Sequence, residues 1–378
     1  MLNIIDAENI INALRNGTAP QVNASAILSG REIEIKEFKR CLDLITEDTG
    51  VVKILVGDYG SGKSFLTQHL KQIAMNDEYI TASFQINNGF RLNKIEDLFY
   101  AIMHNLNLKS KPNQKVGFDE VFNLWVENLQ NAPNPELKRH EINAVCQELS
   151  RFNMTYARAF LSFMRGRIQH NQEMVQVTSA WLSGELNIPF ALKEKYGLVG
   201  NVGKTNAIDF IGAFVKLITL LDYKGLVLFV DEIDQLLSER SDIRQAAYAN
   251  LKHLIDLATS GEANHLMIVF TGTKEAIVHP EKGLITYSAL AQRLNLENRN
   301  AYQFKDPMQT VYELDTLGNS DLLKLTQKIL KLYQLTRSVP YQLTADSIYN
   351  EIVGTFENTK FQTRHFVTRL IQRLDEEL

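Results

Sequence analysis

Val56 to Ser64 read VGDYGSGKS, and this stretch decides how the remainder of the 378-residue chain is understood. Gly57, Gly62, Lys63 and Ser64 fill the spacing G-x-x-x-x-G-K-S/T. In that pattern backbone N–H groups curl around a polyphosphate, the lysine reaches the β and γ phosphates, and the hydroxyl ligates Mg²⁺. Asp58, Tyr59, Gly60 and Ser61 complete the loop and Phe65 follows it, so residues 57–65 form the expected nucleotide-binding set. The preceding VVKILV is a short β-branched run that reads as a strand. Downstream, Phe65, Leu66, His69, Leu70 and Ile73 recur at helical spacing. Strand, loop and helix in that order is the context the motif requires, and it weighs against an accidental glycine turn.

Working outward, GLVLFVDEIDQLL carries an unbroken apolar run from Leu226 to Val230, as a parallel strand buried on both faces would. Asp231 at its end is placed to hold Mg²⁺ with Ser64, and Glu232 to orient or deprotonate water. The competing reading is a strand ending in solvent-facing acids. A third strand, HLMIVFTGT, follows an amphipathic helix containing Tyr248, Leu251, Leu254, Ile255 and Ala258. If the strands are adjacent and parallel, Thr271 lies between the other two sites and can sense the γ-phosphate or position water; the competing reading is a plain turn residue. The string DEID also resembles a helicase motif, but too little chain follows Thr273 for a second helicase lobe.

Together these features predict an α/β fold, a P-loop NTPase-like parallel sheet flanked by helices. Residues 1–47 read as an N-terminal helical segment, 48–318 as the ATPase domain with a helical insertion at about 101–205, and 319–378 as a helical lid. KSKPNQK and NAPNPE read as loops of the insertion, and VYELDTL as the last strand. Ser320, Thr344 and Thr363 are candidate N-caps of the lid helices. In the last of these Phe366, Leu370, Ile371 and Leu374 form the buried stripe, leaving Arg364 free in the first turn. Arg151, Arg158 and Arg165 recur every seven residues and would share one helix face. That face either meets DNA phosphates, with Arg167 and His170, or is simply solvated. Trp125 and Trp181 read as core anchors.

A formal net charge of −4 argues against a chain coated in basic residues, so any nucleic-acid contact should be local or arise on assembly. Cys41 and Cys146 are the two cysteines, in no metal-ligand spacing, which speaks against a disulfide scaffold or zinc site. MLNIIDAENIINAL carries acids early and reads as a helix, not a signal peptide. Lys216, Asp222 and Lys224 interrupt the most apolar region, so no membrane span is expected and the cytoplasm is the expected compartment.

GREIEIKEF, VGDYGSGKS, WLSGE, GLVLFVDEIDQLL and FTGT, in that order, resemble the ATP-binding proteins of BREX bacteriophage-exclusion systems. That family is similar to AAA+ ATPases of the origin-recognition and helicase-loader kind. The resemblance runs from about Ile11 to the last helix. It implies that Gly30 and Arg31 lie near the adenine, that Lys63, Ser64, Asp231 and Glu232 hold phosphate and Mg²⁺ and direct water, and that Thr271 is a sensor. It further implies that Arg364 is a lid arginine facing the nucleotide. Arg293 then stands where an arginine finger would reach a neighbouring subunit, with Arg240, Arg244 and Arg299 as competitors.

The function so implied is ATP hydrolysis in an antiviral defence system, with ATP and Mg²⁺ as cofactors. Duplex DNA, a helicase or other defence proteins would be partners, and the protein would form a homo-oligomer. Two rivals stay open: a nucleotide-dependent scaffold or switch that hydrolyses slowly or not at all, and a DNA loader outside defence.

Overall fold

Parallel pairing of apolar strands organises the chain. The computed structural model describes residues 2–47, 49–87, 90–123, 125–127, 135–260, 264–296, 304–337, 343–356 and 361–376. Its strands are β1 (Val51–Val56), β2 (Ile80–Gln85), β3 (Leu106–Leu108), β4 (Lys111–Val116), β5 (Leu226–Asp231), β6 (Leu266–Gly272) and β7 (Val311–Glu313). They form one sheet in the order β4-β3-β2-β5-β6-β1-β7. All neighbours are parallel except the β3–β4 hairpin and its pairing to β2. This is the α/β, P-loop NTPase-like sheet expected from the motif order, with β6, which carries Thr271, between the phosphate-loop strand and the acid-bearing strand.

Helices α1 (Ile4–Arg15), α2 (Glu32–Thr46), α3 (Lys63–Asn76) and α4 (Ile95–Met103) are followed by α5 (Phe118–Val121), α6 (Pro135–Phe152), α7 (Met154–Ile168), α8 (Gln172–Leu182) and α9 (Phe190–Lys195). Then come α10 (Ala207–Thr219), α11 (Ser241–Thr259), α12 (Lys274–Val278), α13 (Ser288–Arg293), α14 (Asn319–Thr336), α15 (Ala345–Gly354) and α16 (Thr363–Asp375). Among the described residues no helix is long and apolar enough to cross a membrane.

The two faces of the sheet bury different helices. Phe38, Leu42, Leu66 and Leu70 of α2 and α3 cover one face, over Leu55, Val227, Phe229 and Val269. Ile54, Ile80, Leu228 and Ile268 point to the other, where α4, α10, α11 and the helices α5–α8 pack. Alternate residues of each strand thus serve separate cores, as a doubly covered sheet requires. Trp181 is fully buried in the second core, while Trp125 is only partly covered.

A third core joins the two ends of the chain. Ala7, Ile10, Ile11 and Leu14 of α1 pack with Leu322, Ile329 and Tyr333 of α14 and with Phe366 and Leu370 of α16. Arg15 donates twice to Asp375 at 2.9 and 2.8 Å, and the Tyr333 hydroxyl donates to the same carboxylate at 2.7 Å. The first helix therefore rests on the C-terminal helices, whereas α2 rests on the sheet.

The structure corrects three local expectations. KSKPNQK is not a loop: its second half is β4, whose residues 111–115 are exposed and polar. Such a strand is recognisable only by its pairing, and its lysines and Pro112 suit an open sheet edge. Arg151 does not share a helix with Arg158 and Arg165, because Asn153 leaves the helical conformation and caps α7, accepting from Thr155 N and Tyr156 N. Of the three candidate N-caps, Thr344 accepts from Ser347 N, but α14 and α16 start from Gly318 and Gln362 without a side-chain cap. Most of NAPNPE lies outside the described residues.

Lys53 is the one charged side chain in the otherwise apolar β1. Its ammonium donates to the carbonyls of Pro307, Met308 and Gln309 at 2.8, 3.0 and 3.1 Å and pairs with Glu37 at 2.6 Å. Burial alone would raise the Glu37 carboxyl, but hydrogen bonds from Arg40 and Lys53 outweigh it and hold the group at about 2. The stabilisation this provides is present above the ordinary value of 4.5 and lost as pH falls toward 2. Glu37→Gln should therefore lower stability at pH 7 by about 1–3 kcal/mol. Urea unfolding of the variant should also vary less with pH between 4.5 and 2 than wild type; parallel pH profiles would contradict this assignment.

Candidate functional site

Strand register brings the sequence-distant acids to the phosphate loop. Val56 pairs with Gly272 and Val230 with Phe270, so β1, β6 and β5 end at one edge of the sheet. There a cavity of about 250 Å³ is lined by loop residues Tyr59, Gly60, Ser61, Gly62, Lys63, Ser64 and Phe65 and by Asp231, Glu232 and Asp234. Arg31, Ile27, Leu28, Ser29 and residues 17–19 form a second wall, and Thr363, Arg364, Val367 and Thr368 of α16 a third. Leu14, Leu317 and Leu325 add apolar lining.

The loop has the features of a polyphosphate cradle. Gly60 and Gly62 adopt φ of +78° and +97°, which L side chains rarely do. A Cβ on Gly57 would stand 2.9 Å from Ser61 Oγ, and one on Gly60 2.8 Å from Gln362 Oε1. Helix α3 begins at Lys63 without a side-chain cap, so its first N–H groups and the helix dipole face the cavity. Ser61 Oγ is buried and has no hydrogen-bond partner among the described residues. A buried orphan hydroxyl and uncapped N–H groups in one concave loop fit an anionic ligand of many oxygens. Lys63 Nζ donates to the carbonyls of Gly57 and Asp58, at 2.8 and 2.9 Å.

Ser64 Oγ donates to Asp231 Oδ2 at 3.3 Å, so the two expected metal ligands are adjacent. The other oxygen of Asp231 accepts from the Glu232 backbone N–H at 3.0 Å and from the Thr271 hydroxyl. Thr271 is itself buried and reaches the cavity only through Asp231. Glu232 adopts a left-handed backbone, φ 65° and ψ 46°, an uncommon conformation for a glutamate that turns the chain sharply at the strand end. Burial first, then the charges of Asp231 and Asp234, raise its carboxyl above the ordinary value of 4.5. Burial lowers Lys63 below its ordinary value of 10.5, opposed by Asp234, Asp231, Asp58 and Glu232.

Asp234 escaped the sequence reading as a site residue. It accepts from the Tyr59 hydroxyl at 2.8 Å and from Thr273 N at 3.1 Å, tying the loop tip to the end of β6. Its place three residues after Asp231, in DEID, was the available signal, but a short 3₁₀ segment rather than the strand turns it inward. The N-terminal wall at residues 17–19 and 27–29 carries no motif and was likewise missed.

The expected arginines separate. Arg31 is buried and donates to the Ser61 carbonyl at 2.8 Å. Gly30, with φ +67°, is packed against Asp321 of α14 and does not line the cavity. Arg364 lines it, donating through Nη2 to the Gly17 carbonyl at 2.9 Å. Arg293 does not line it; it is about half exposed and pairs with Asp256 at 2.7 Å. Of its competitors, Arg240 is exposed, Arg244 is buried against the Glu239 carbonyl and so withdrawn from any neighbour, and Arg299 lies outside the described residues.

The family model described as BREX system ATP-binding protein BrxC/D matches residues 4–376, nearly the whole chain. No curated protein matched the chain.

The elevated Glu232 carboxyl carries a cost to folding. Just above the ordinary glutamate value of 4.5 the folded protein binds this proton more than the unfolded chain does, so stability falls as pH rises through that interval. Glu232→Gln removes the loss. Its thermal midpoint at pH 7 should exceed wild type by about 1–2 °C. The two should converge below the ordinary value of 4.5; a variant less stable than wild type at pH 7 would refute the electrostatic account.

Proposed function

This chain belongs to the BREX system ATP-binding protein family BrxC/D, and from that premise we propose that it is an AAA+-like ATPase that binds Mg-ATP in the cavity at the strand ends. The observation that carries this reading is the meeting of Ser64 Oγ and Asp231 Oδ2 at 3.3 Å, with Lys63 and Glu232 lining the same cavity. A Mg²⁺ held there would neutralise charge on the β and γ oxygens.

The chain's own residues do positional and electrostatic work. Backbone N–H groups of Gly60 and of residues 62–64 donate to phosphate oxygens, while the Ser61 N–H holds the loop turn through the Asp58 carbonyl, and Lys63 exchanges its loop carbonyls for the phosphates. Glu232, on its sharply turned backbone, orients water and takes its proton. Thr271 holds Asp231 in place, and Asp234 fixes the loop tip through Tyr59. The apolar lining, with Leu14, Leu317 and Leu325, receives the base, and Arg364 lines the cavity from α16.

Arg31 and Arg364 are the arginines that line the cavity among the described residues. Arg31 is committed to the loop carbonyl and Arg364 to Gly17. In this reading an arginine of a second copy completes the site, with Arg293 or Arg240, which would have to leave Asp256 or Asp242, the exposed candidates. The cycle then couples to homo-oligomer assembly on duplex DNA or with a helicase or other defence protein. The same two commitments favour a second reading, a switch that binds ATP and hydrolyses it slowly until a partner arrives.

Steady-state ATP turnover across protein concentration, with and without duplex DNA, separates the two. The ATPase reading expects specific activity to rise with concentration or DNA. Glu232→Gln should reduce it by about 10²–10⁴-fold while leaving ATP binding intact. Lys63→Ala should abolish Mg-dependent binding. Tight binding with negligible turnover under every condition would leave the switch; no Mg-ATP binding at all would sink both.

A further inference from the structure

Arg31 is the most deeply buried cation at the cavity, its side chain 6% exposed. One guanidinium nitrogen, Nη2, donates to the Ser61 carbonyl at 2.8 Å, and Nη1 pairs with Glu34 at 3.3 Å. Glu34 is as buried as Arg31 and accepts from the Tyr312 hydroxyl at 3.4 Å. Tyr312 stands on β7 opposite Leu55 of β1, one residue before the phosphate-loop strand ends. The guanidinium is thus held between the loop and the last strand. On its N-terminal side Gly30 is pressed against Asp321, where a Cβ would meet the carboxyl carbon at 2.5 Å.

The peptide joining Ser61 to Gly62 is planar and trans, so its C=O and N–H point in opposite directions. A donor that captures the carbonyl on one side aims the Gly62 N–H to the other. Gly62 lines the cavity and is the last residue before α3. At φ +97° this glycine has wide backbone freedom, so its N–H direction needs an external constraint. Arg31 supplies one, and a fork of fixed geometry does so with more precision than an ammonium.

We propose that Arg31, held by Glu34 and Tyr312, is a positioning residue that orients the Ser61–Gly62 peptide so that its N–H faces the polyphosphate, and does not read the base. This rests on the nucleotide-binding reading above. It replaces the adenine-side place that sequence resemblance implies for Arg31 with a phosphate-side one.

Inorganic tripolyphosphate with Mg²⁺ is the discriminating probe, because it has phosphates and no base. Binding of Mg-tripolyphosphate and of Mg-ATP should be measured for wild type, Arg31→Gln, Arg31→Lys and Tyr312→Phe, well below each protein's thermal midpoint. Arg31→Gln should weaken both ligands by the same factor, about tenfold or more. Arg31→Lys should recover only part of that loss. Tyr312→Phe, which touches no ligand, should weaken both by about threefold. ATP weakened with tripolyphosphate unchanged would overturn the proposal in favour of a base contact. Affinities unchanged with a lowered midpoint would overturn it in favour of a purely structural ion pair. If Arg31→Gln does not fold, Arg31→Lys and Tyr312→Phe give the same comparison. Wild type binding neither ligand, or Lys63→Ala binding both normally, would instead fail the nucleotide reading itself.

Discussion

Val56 stands opposite Gly272, and Phe270 opposite Val230, so three parallel strands deliver their C-terminal ends to one line. Backbone hydrogen bonds set that register, and apolar side chains on both faces prevent a slip, because a shift of one residue would exchange the two cores. Asp231 and Lys63, far apart in sequence, become neighbours only through it. The interposed β6 also places Thr271 against Asp231, where a buried hydroxyl can fix a carboxylate without facing the ligand.

The site gathers groups that resist being together. Asp231, Glu232 and Asp234 share a cavity with Lys63, and burial works against the charged form of both Glu232 and Lys63. Local fixtures absorb the conflict: Asp231 takes a backbone N–H and two hydroxyls, and Asp234 takes Tyr59 and the Thr273 N–H. Glu232 is left with a raised carboxyl on a left-handed backbone, the kind of tension that concentrates where chemistry is done.

Opposite the sheet, the cavity wall is built from the two ends of the chain. Helix α1 and the C-terminal helices share one core, stitched by Arg15, Tyr333 and Asp375. Residues between α1 and α2 are then caught between α14 and the phosphate loop: Lys328 donates to the Leu28 carbonyl, Gly30 abuts Asp321, and Arg31 holds Ser61. The cavity is thus lined at once by the sheet edge, the N-terminal segment and the C-terminal helices.

Much was legible in sequence because the information is local. VGDYGSGKS, the apolar runs at β1, β5 and β6, and the acids at the end of β5 stand out through spacing and the residues beside them, and the α/β fold follows. The Phe366, Leu370, Ile371 and Leu374 stripe was readable for the same reason, since helical period alone predicts burial. Pairing and packing partners lay beyond that reach. A polar strand such as β4 declares itself only by the hydrogen bonds it makes with β3, and one asparagine at position 153 was enough to divide an apparent arginine stripe between two helices. Asp234 gains its partners from a 3₁₀ turn, and Arg31 its place behind the loop from Glu34 and Tyr312, 278 positions apart in the chain. Spacing along the chain marks which residue types could act together and the order in which they come; which side chains meet is set by the folded chain alone, because partners so distant are chosen by packing and register, not by neighbours in sequence.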